Sequence, residues 1–95
     1  MALLDDDEIT QRLEGSRWTR VEEAIARELQ FDDFAGAMAF VNRVAAVAEA
    51  RNHHPDILVH DYNQVRLSVT NHSAGGLTQA DFDLAAAIDG LPDVP

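Results

Sequence analysis

The stretch from Asp33 to Arg51 carries a plainly helical apolar pattern, and it stops at Asn52-His53-His54-Pro55. Phe34, Ala37, Val41, Val44 and Ala48 recur at three- and four-residue steps, with Phe40 and Val47 widening the stripe. That period predicts an amphipathic helix that must lay one side on something apolar. Asp32 or Asp33 can cap its start. Pro55 ends it, because proline disfavours helical backbone in the residue before it. The following segment predicts what the helix lies on. Asp56 to Tyr62 and Gln64 to Asn71 read as two strands joined at Asp61-Tyr62-Asn63. In the second strand Val65, Leu67 and Val69 share one face, while Arg66, Ser68 and Thr70 share the other. A helix with one apolar stripe and a strand pair with one apolar face satisfy each other by packing together.

The remaining elements extend this frame. Asp5 to Glu14 reads as a short helix with Asp5 as N-cap, Glu8 at the third helical position and Gly15 as its stop. Ile9 and Leu13 would face the core. Trp18 to Phe31 admits two readings. Val21 to Leu29 has good helix propensity, yet Ile25, Leu29 and Phe31 also share one strand parity, and Trp18 to Val21 can pair with them across a turn near Glu22-Glu23. Gly75-Gly76 is a turn. A last helix starts at Thr78, whose hydroxyl can form a capping box with Asp81. Phe82, Ala85, Ala86 and Ile88 give it an apolar side, and Gly90 with Pro92 closes it. With 95 residues the chain reads as a single domain over residues 1–95, with no internal repeat or linker.

Composition excludes several classes. Zero cysteines leave no disulfide, thiolate metal site or cysteine nucleophile. A net charge of -10 argues against nucleic-acid binding, which needs Lys or Arg to replace counterions. The seven basic residues are all arginine and form no run. The opening Met1-Ala2-Leu3-Leu4-Asp5-Asp6-Asp7-Glu8 has no basic region and no long apolar run, so neither a signal peptide nor a membrane segment is expected. Cytosol is the default expectation.

Three of the four histidines stand in a pattern with two carboxylates: Glu49, His53-His54-Pro55, then Tyr62, His72 and Asp81. Imidazole gives and takes protons most readily at neutral pH. His53 and His54 lie at a helix-to-strand junction, where adjacent side chains point apart, so they are expected to have different roles. A helix C-cap is the structural competitor for one of them. His72 shares parity with the polar face of its strand, which argues against a buried core histidine. Asp81 is explained by the capping box alone, but one oxygen can cap while the other faces a histidine. Glu49, four residues before His53, could bias that imidazole's tautomer. Equally, it could be an exposed glutamate of the last turn. Trp18 and Tyr62 could supply flat walls for a planar ligand, against which stands ordinary core or interface packing. His60 reads as a surface residue.

This spacing resembles the signature of the pterin-4a-carbinolamine dehydratases. Trp18, Leu29 to Phe34, Phe40 to Ala45 and Ala74 to Thr78 also sit where that family has similar residues, so the likeness runs from about Trp18 to Ile88. Ile57, where the family often has an aromatic, and Asn71, where it often has threonine, depart from the pattern. The resemblance implies that Trp18 to Phe31 is a hairpin, giving an α+β fold: an antiparallel sheet of about four strands with helices on one face, in the order helix, hairpin, helix, hairpin, helix. It implies that His53, His54, His72 and Asp81 are catalytic, with His53 in proton transfer and His54 binding substrate or handling the second proton. Glu49, Pro55 and Trp18 are expected to contact the pterin. The implied reaction dehydrates 4a-hydroxytetrahydropterin to quinonoid dihydropterin and needs no metal or other cofactor. The family further implies a homodimer or homotetramer, with a pterin-dependent hydroxylase or a regulatory protein as a further partner.

Two other readings compete with this one. A zinc hydrolase could use the histidines as ligands, but His53 and His54 are adjacent and no His-x-x-x-His pair exists. A non-catalytic dimerisation or interaction module of the same fold would have no physical need for the full histidine and carboxylate set.

Overall fold

In the computed structural model, which describes residues 2–95, seven elements follow one another. They are α1 (Asp6–Leu13), β1 (Thr19–Val21), β2 (Ala24–Gln30), α2 (Phe34–Arg51), β3 (Asp56–His60), β4 (Gln64–Val69) and α3 (Gln79–Asp89). The strands form one sheet in the order β1-β2-β4-β3, antiparallel at every pair. The fold is thus α+β, with the four strands and three helices that the resemblance implies.

Local chemistry accounts for the helix starts. The Glu8 amide donates to Asp5 Oδ1 at 2.8 Å and the Asp5 amide to Glu8 Oε1 at 3.0 Å, so α1 begins with the expected capping box. Asp33 caps α2 through a bond from the Gly36 amide at 2.7 Å. The segment from Val21 to Leu29 is strand despite its helix propensity. Glu22 takes a left-handed turn at φ 55°, and β2 then pairs with β4 from Ile25↔Val69 to Leu29↔Val65. That pairing buries Ile25 and Leu29 beside Val65, Leu67 and Val69, and tertiary burial outweighs a local preference of tenths of a kcal/mol per residue.

The register also places Arg27 opposite Leu67 on this inward face. It is 6% exposed and its guanidinium meets Asp89 Oδ1 at 2.5 Å and the Pro95 carbonyl oxygen at 2.8 Å, so the buried charge is paired.

The helices cover that face. Ala37, Phe40, Val44 and Ala48 are the buried stripe of α2, and Leu84, Ala85 and Ile88 that of α3. Phe40 stacks obliquely on Phe31, their ring centroids 5.1 Å apart. Each fully buried side chain of this size contributes about 1.5–3 kcal/mol. Two expected members of these stripes lie elsewhere. Phe34, the first residue of α2, is exposed, and Ala86 faces outward while Leu84 takes the inward position.

One end of the sheet gathers the segments that matter for function. The pairs Asp56↔Ser68, Ile25↔Val69 and Val21↔Ala24 all lie there. The α2–β3 junction, the β1–β2 turn and the β4–α3 loop therefore converge at that end.

Candidate active site

The first group is built where α2 stops. Asn52 adopts the left-handed conformation, φ 50° and ψ 41°, which asparagine tolerates better than most residues. The His53 amide then donates back to the Ala48 carbonyl at 3.1 Å, closing the helix in the manner of a Schellman turn. This reversal is what separates the two adjacent imidazoles.

His53 turns toward the start of α3. Its Nε2 lies 2.5 Å from Asp81 Oδ1. Asp81 is fully buried, while the His53 side chain keeps 17% of its surface exposed. The other carboxylate oxygen, Oδ2, accepts from the Thr78 amide at 2.7 Å and the Thr78 hydroxyl at 3.2 Å. Asp81 therefore caps α3 with one oxygen and faces a histidine with the other. The positive end of the α3 dipole favours negative charge here. Because a carboxylate oxygen only accepts, Nε2 is the nitrogen that carries hydrogen. A neutral His53 ring then keeps Nδ1 as a free acceptor.

His54 points the other way. Its Nε2 is hydrogen-bonded to the Glu49 carboxylate, and both side chains are largely exposed. Glu49 thus orients His54, not His53. Four residues of helical spacing point to His53, but the left-handed turn at Asn52 sends that ring away and swings His54 into its place.

His72 sits in the loop between β4 and α3. Asn71 holds this loop: its amide donates to the Gly76 carbonyl, the Gly76 amide donates back, and its side-chain Oδ1 accepts from the Ala74 amide at 3.0 Å. Gly75 takes a left-handed φ of 81° to make the turn. The residue that departs from the family pattern therefore builds the loop that presents His72. His72 is exposed and lines a cavity of about 320 Å³ shared with the β1–β2 turn.

Trp18 is not part of this group. It is 3% exposed and packs in the core, its indole N–H donating to Asp89 Oδ1 at 2.9 Å. Asp89 ends α3 whereas Asp81 lies in its first turn, roughly 12 Å apart along the axis at 1.5 Å per residue. Tyr62 is also remote, exposed in the β3–β4 turn at the opposite end of β3. Pro55 is half-buried directly after His54 and starts the run into β3. Thr78, fully buried, is the supporting residue that holds Asp81. Among the described residues, no group of three or more His, Cys, Asp or Glu side chains is placed to hold a metal ion.

The family model for pterin 4 alpha carbinolamine dehydratase matches residues 2–91. A protein of Acidobacterium capsulatum, provisionally named pterin-4-alpha-carbinolamine dehydratase, is 50% identical over 96% of this chain and 99% of its own length. A protein of the same provisional name from Roseiflexus castenholzii is 51% identical over 95% of this chain and 97% of its own. The crystal structure of a transcriptional coactivator/pterin dehydratase from Brucella melitensis superposes with a TM-score of 0.84 at 32% identity, covering 90% of this chain and 94% of that one. A pterin dehydratase-like protein identified as a RuBisCO assembly factor in the alpha-carboxysome shares the fold, with a TM-score of 0.64 at 22% identity. Matched almost end to end by half-identical relatives, and by a family model over nearly its whole length, the chain belongs to the pterin-4-alpha-carbinolamine dehydratase family.

Proposed function

We propose that this protein dehydrates 4a-hydroxytetrahydropterin to quinonoid dihydropterin by histidine general acid and base catalysis, in recycling a tetrahydrobiopterin-type cofactor in the cytosol. The observation that carries the reading is the His53–Asp81 pair, whose carboxylate is fully buried and anchored by Thr78. In the reaction a proton reaches the 4a-hydroxyl, the C4a–O bond breaks with electrons supplied by ring nitrogen, and a ring N–H is lost. Water and the quinonoid pterin balance the carbinolamine. His53, held by Asp81, and His72 handle the two protons. His54, fixed by Glu49, holds the pterin. Asp81 stabilises the imidazolium form of His53 as it takes up a proton and fixes its tautomer between turnovers. Each well-placed proton transfer contributes about 10²–10⁴-fold. Direct assay of carbinolamine dehydration with purified protein is the test, and a rate no faster than buffer refutes it.

The proposed chemistry needs no metal ion. Exhaustive chelation is expected to leave the dehydration rate unchanged. Loss of rate with recovery on adding zinc would move the reading to a zinc hydrolase.

A homo-oligomer with the dimer as minimal unit is part of the proposal. β3 is an edge strand, and Ile57 and Leu58 on it are exposed on opposite faces, leaving an apolar edge that needs cover. Light scattering at micromolar concentration is expected to give at least twice the chain mass, and a monomer contradicts it.

A second reading, a non-catalytic interaction module, draws on the outer side of α2. There Phe34, Ala35, Ala39, Ala45 and Ala46 are exposed and uncharged. A pterin-dependent hydroxylase or a regulatory protein is the partner class proposed for it.

A further inference from the structure

At the end of α3 remote from His53, separate segments close round a cavity of about 380 Å³. The α1–β1 loop supplies Ser16 and Arg17, β2 supplies Arg27, α3 supplies Asp89, and the tail beyond it supplies Val94 and Pro95. Both guanidiniums point at one atom. Arg17 Nη1 donates to the Pro95 carbonyl oxygen at 3.1 Å, and Arg27 Nη2 donates to it at 2.8 Å. The neighbouring Asp89 carboxylate is already engaged, by Arg27 Nη1 at 2.5 Å and by the Trp18 indole N–H at 2.9 Å. One guanidinium is thus matched to one carboxylate, and the other, on Arg17, is left to the Pro95 oxygen. The tail that brings this oxygen is otherwise lightly held. Beyond the Leu91 amide, which donates to the Ile88 carbonyl at 3.1 Å, no backbone hydrogen bond among the described residues ties down Pro92 to Pro95. Of those four residues, Val94 packs against the core.

We propose that Arg17 and Arg27 form a carboxylate-binding site, separate from the His53–Asp81 group, in which the Pro95 oxygen is an exchangeable internal occupant. When the tail lifts, Arg27 keeps Asp89 through Nη1. Its Nη2 and Arg17 Nη1 are then two donors from different segments aimed at one place, and a carboxylate accepts from both. Arg27 is buried, so its bond to such a ligand is little weakened by water. The Ser16 hydroxyl accepts from the Trp18 amide at 3.0 Å and still has its own hydrogen to donate, which makes a third donor. A single unmatched cation favours a singly charged carboxylate over sulfate or a phosphate dianion, which Asp89 repels more strongly. The inference stands apart from the dehydratase reading, because Asp89 ends the helix whose first turn holds Asp81.

Trp18 is the single tryptophan and reports on the site, since its indole N–H shares Asp89 with Arg27. The test titrates the protein with sodium acetate, sodium sulfate or sodium chloride at matched ionic strength and neutral pH, following the Trp18 indole and Val94 amide signals by ¹H–¹⁵N NMR. Acetate is expected to shift both signals saturably, and chloride neither. Val94→Gly loosens the tail without touching either arginine, so acetate should bind that variant more tightly than the wild type. Adding Arg17→Ala to Val94→Gly, where the tail no longer competes, should weaken acetate about tenfold, as loss of one charge-assisted hydrogen bond implies. Arg17→Lys in the same background should recover part of the loss. Equal shifts with acetate and chloride, or an acetate affinity indifferent to Arg17→Ala, overturn the site. A stronger saturable response to sulfate than to acetate overturns the carboxylate assignment. An acetate affinity unchanged by Val94→Gly overturns the exchange with the tail.

Discussion

Replacing His53 by alanine is expected to lower kcat by about 10²–10⁴-fold, the span of one positioned proton transfer. The ring is the only one of the three set against a buried carboxylate, Asp81 Oδ1 at 2.5 Å, so it is the best oriented. His72→Ala is expected to reduce kcat in the same sense, because an interaction expressed only in the transition state is lost. His54→Ala should instead raise KM, since its largely exposed ring, held only by Glu49, is assigned to ground-state binding. Free imidazole added to the His53→Ala protein should restore part of the rate, which a purely structural histidine would not allow. Exchange of the effects between His53 and His54 would correct the assignment while keeping the site. A folded triple variant, His53→Ala/His54→Ala/His72→Ala, that dehydrates at the wild-type rate would remove the site reading and favour the interaction module.

Asp81 gives the second large effect, because its two oxygens can be tested separately. Asp81→Ala removes the acceptor for the Thr78 amide, which is fully buried with its residue. Leaving such a donor unpaired costs about 1–3 kcal/mol, and a domain of this size loses on the order of 10 °C in Tm. Asp81→Asn keeps a carbonyl oxygen for the cap and should stay within about 1 kcal/mol of the wild type, well below the loss of a whole cap. Its amide nitrogen, however, then faces His53 Nε2 with hydrogens of its own. Two donors cannot share that contact, so the ring's proton must move to Nδ1, the nitrogen needed as acceptor. A loss of kcat of about 10²-fold or more is expected, with the tautomer change visible in imidazole ¹⁵N shifts. Wild-type kcat in a stable Asp81→Asn protein would reduce Asp81 to a helix cap.

What the sequence makes legible here is what short-range chemistry decides. The Asp5–Glu8 box, the α2 stripe through Ala37, Val44 and Ala48, the alternation of Val65, Leu67 and Val69, and the double use of Asp81 all follow from period or spacing. What local chemistry leaves open has a common physical origin in geometry made at a distance. β2 is a strand because Ile25 to Leu29 find β4, roughly forty residues later in the chain, which local propensity does not encode. Helical spacing lets Glu49 face His53 or remain an exposed glutamate of the last turn; it is exposed, and a single left-handed residue, Asn52, brings His54 rather than His53 to it. Trp18 sits in an aromatic position of the family pattern, yet its partner is Asp89 at the far end of α3. Arg27 carries no local sign of burial, since its counter-charge lies on an element near the other end of the chain.

The central β2–β4 pairing also sets an order of events during synthesis. β1 and β2 leave the ribosome before β4, so the β4-facing side of β2 stays without its partner for a few seconds at roughly 5–20 residues per second. Over that interval the Ile25 to Leu29 edge presents unpaired backbone and apolar side chains to other nascent chains. Arg27 and Glu28 stand in the middle of it, placing two opposite charges where stacking against a foreign strand would bury them unpaired. The same arginine that later locks onto Asp89 thus guards the growing polypeptide before its partner exists.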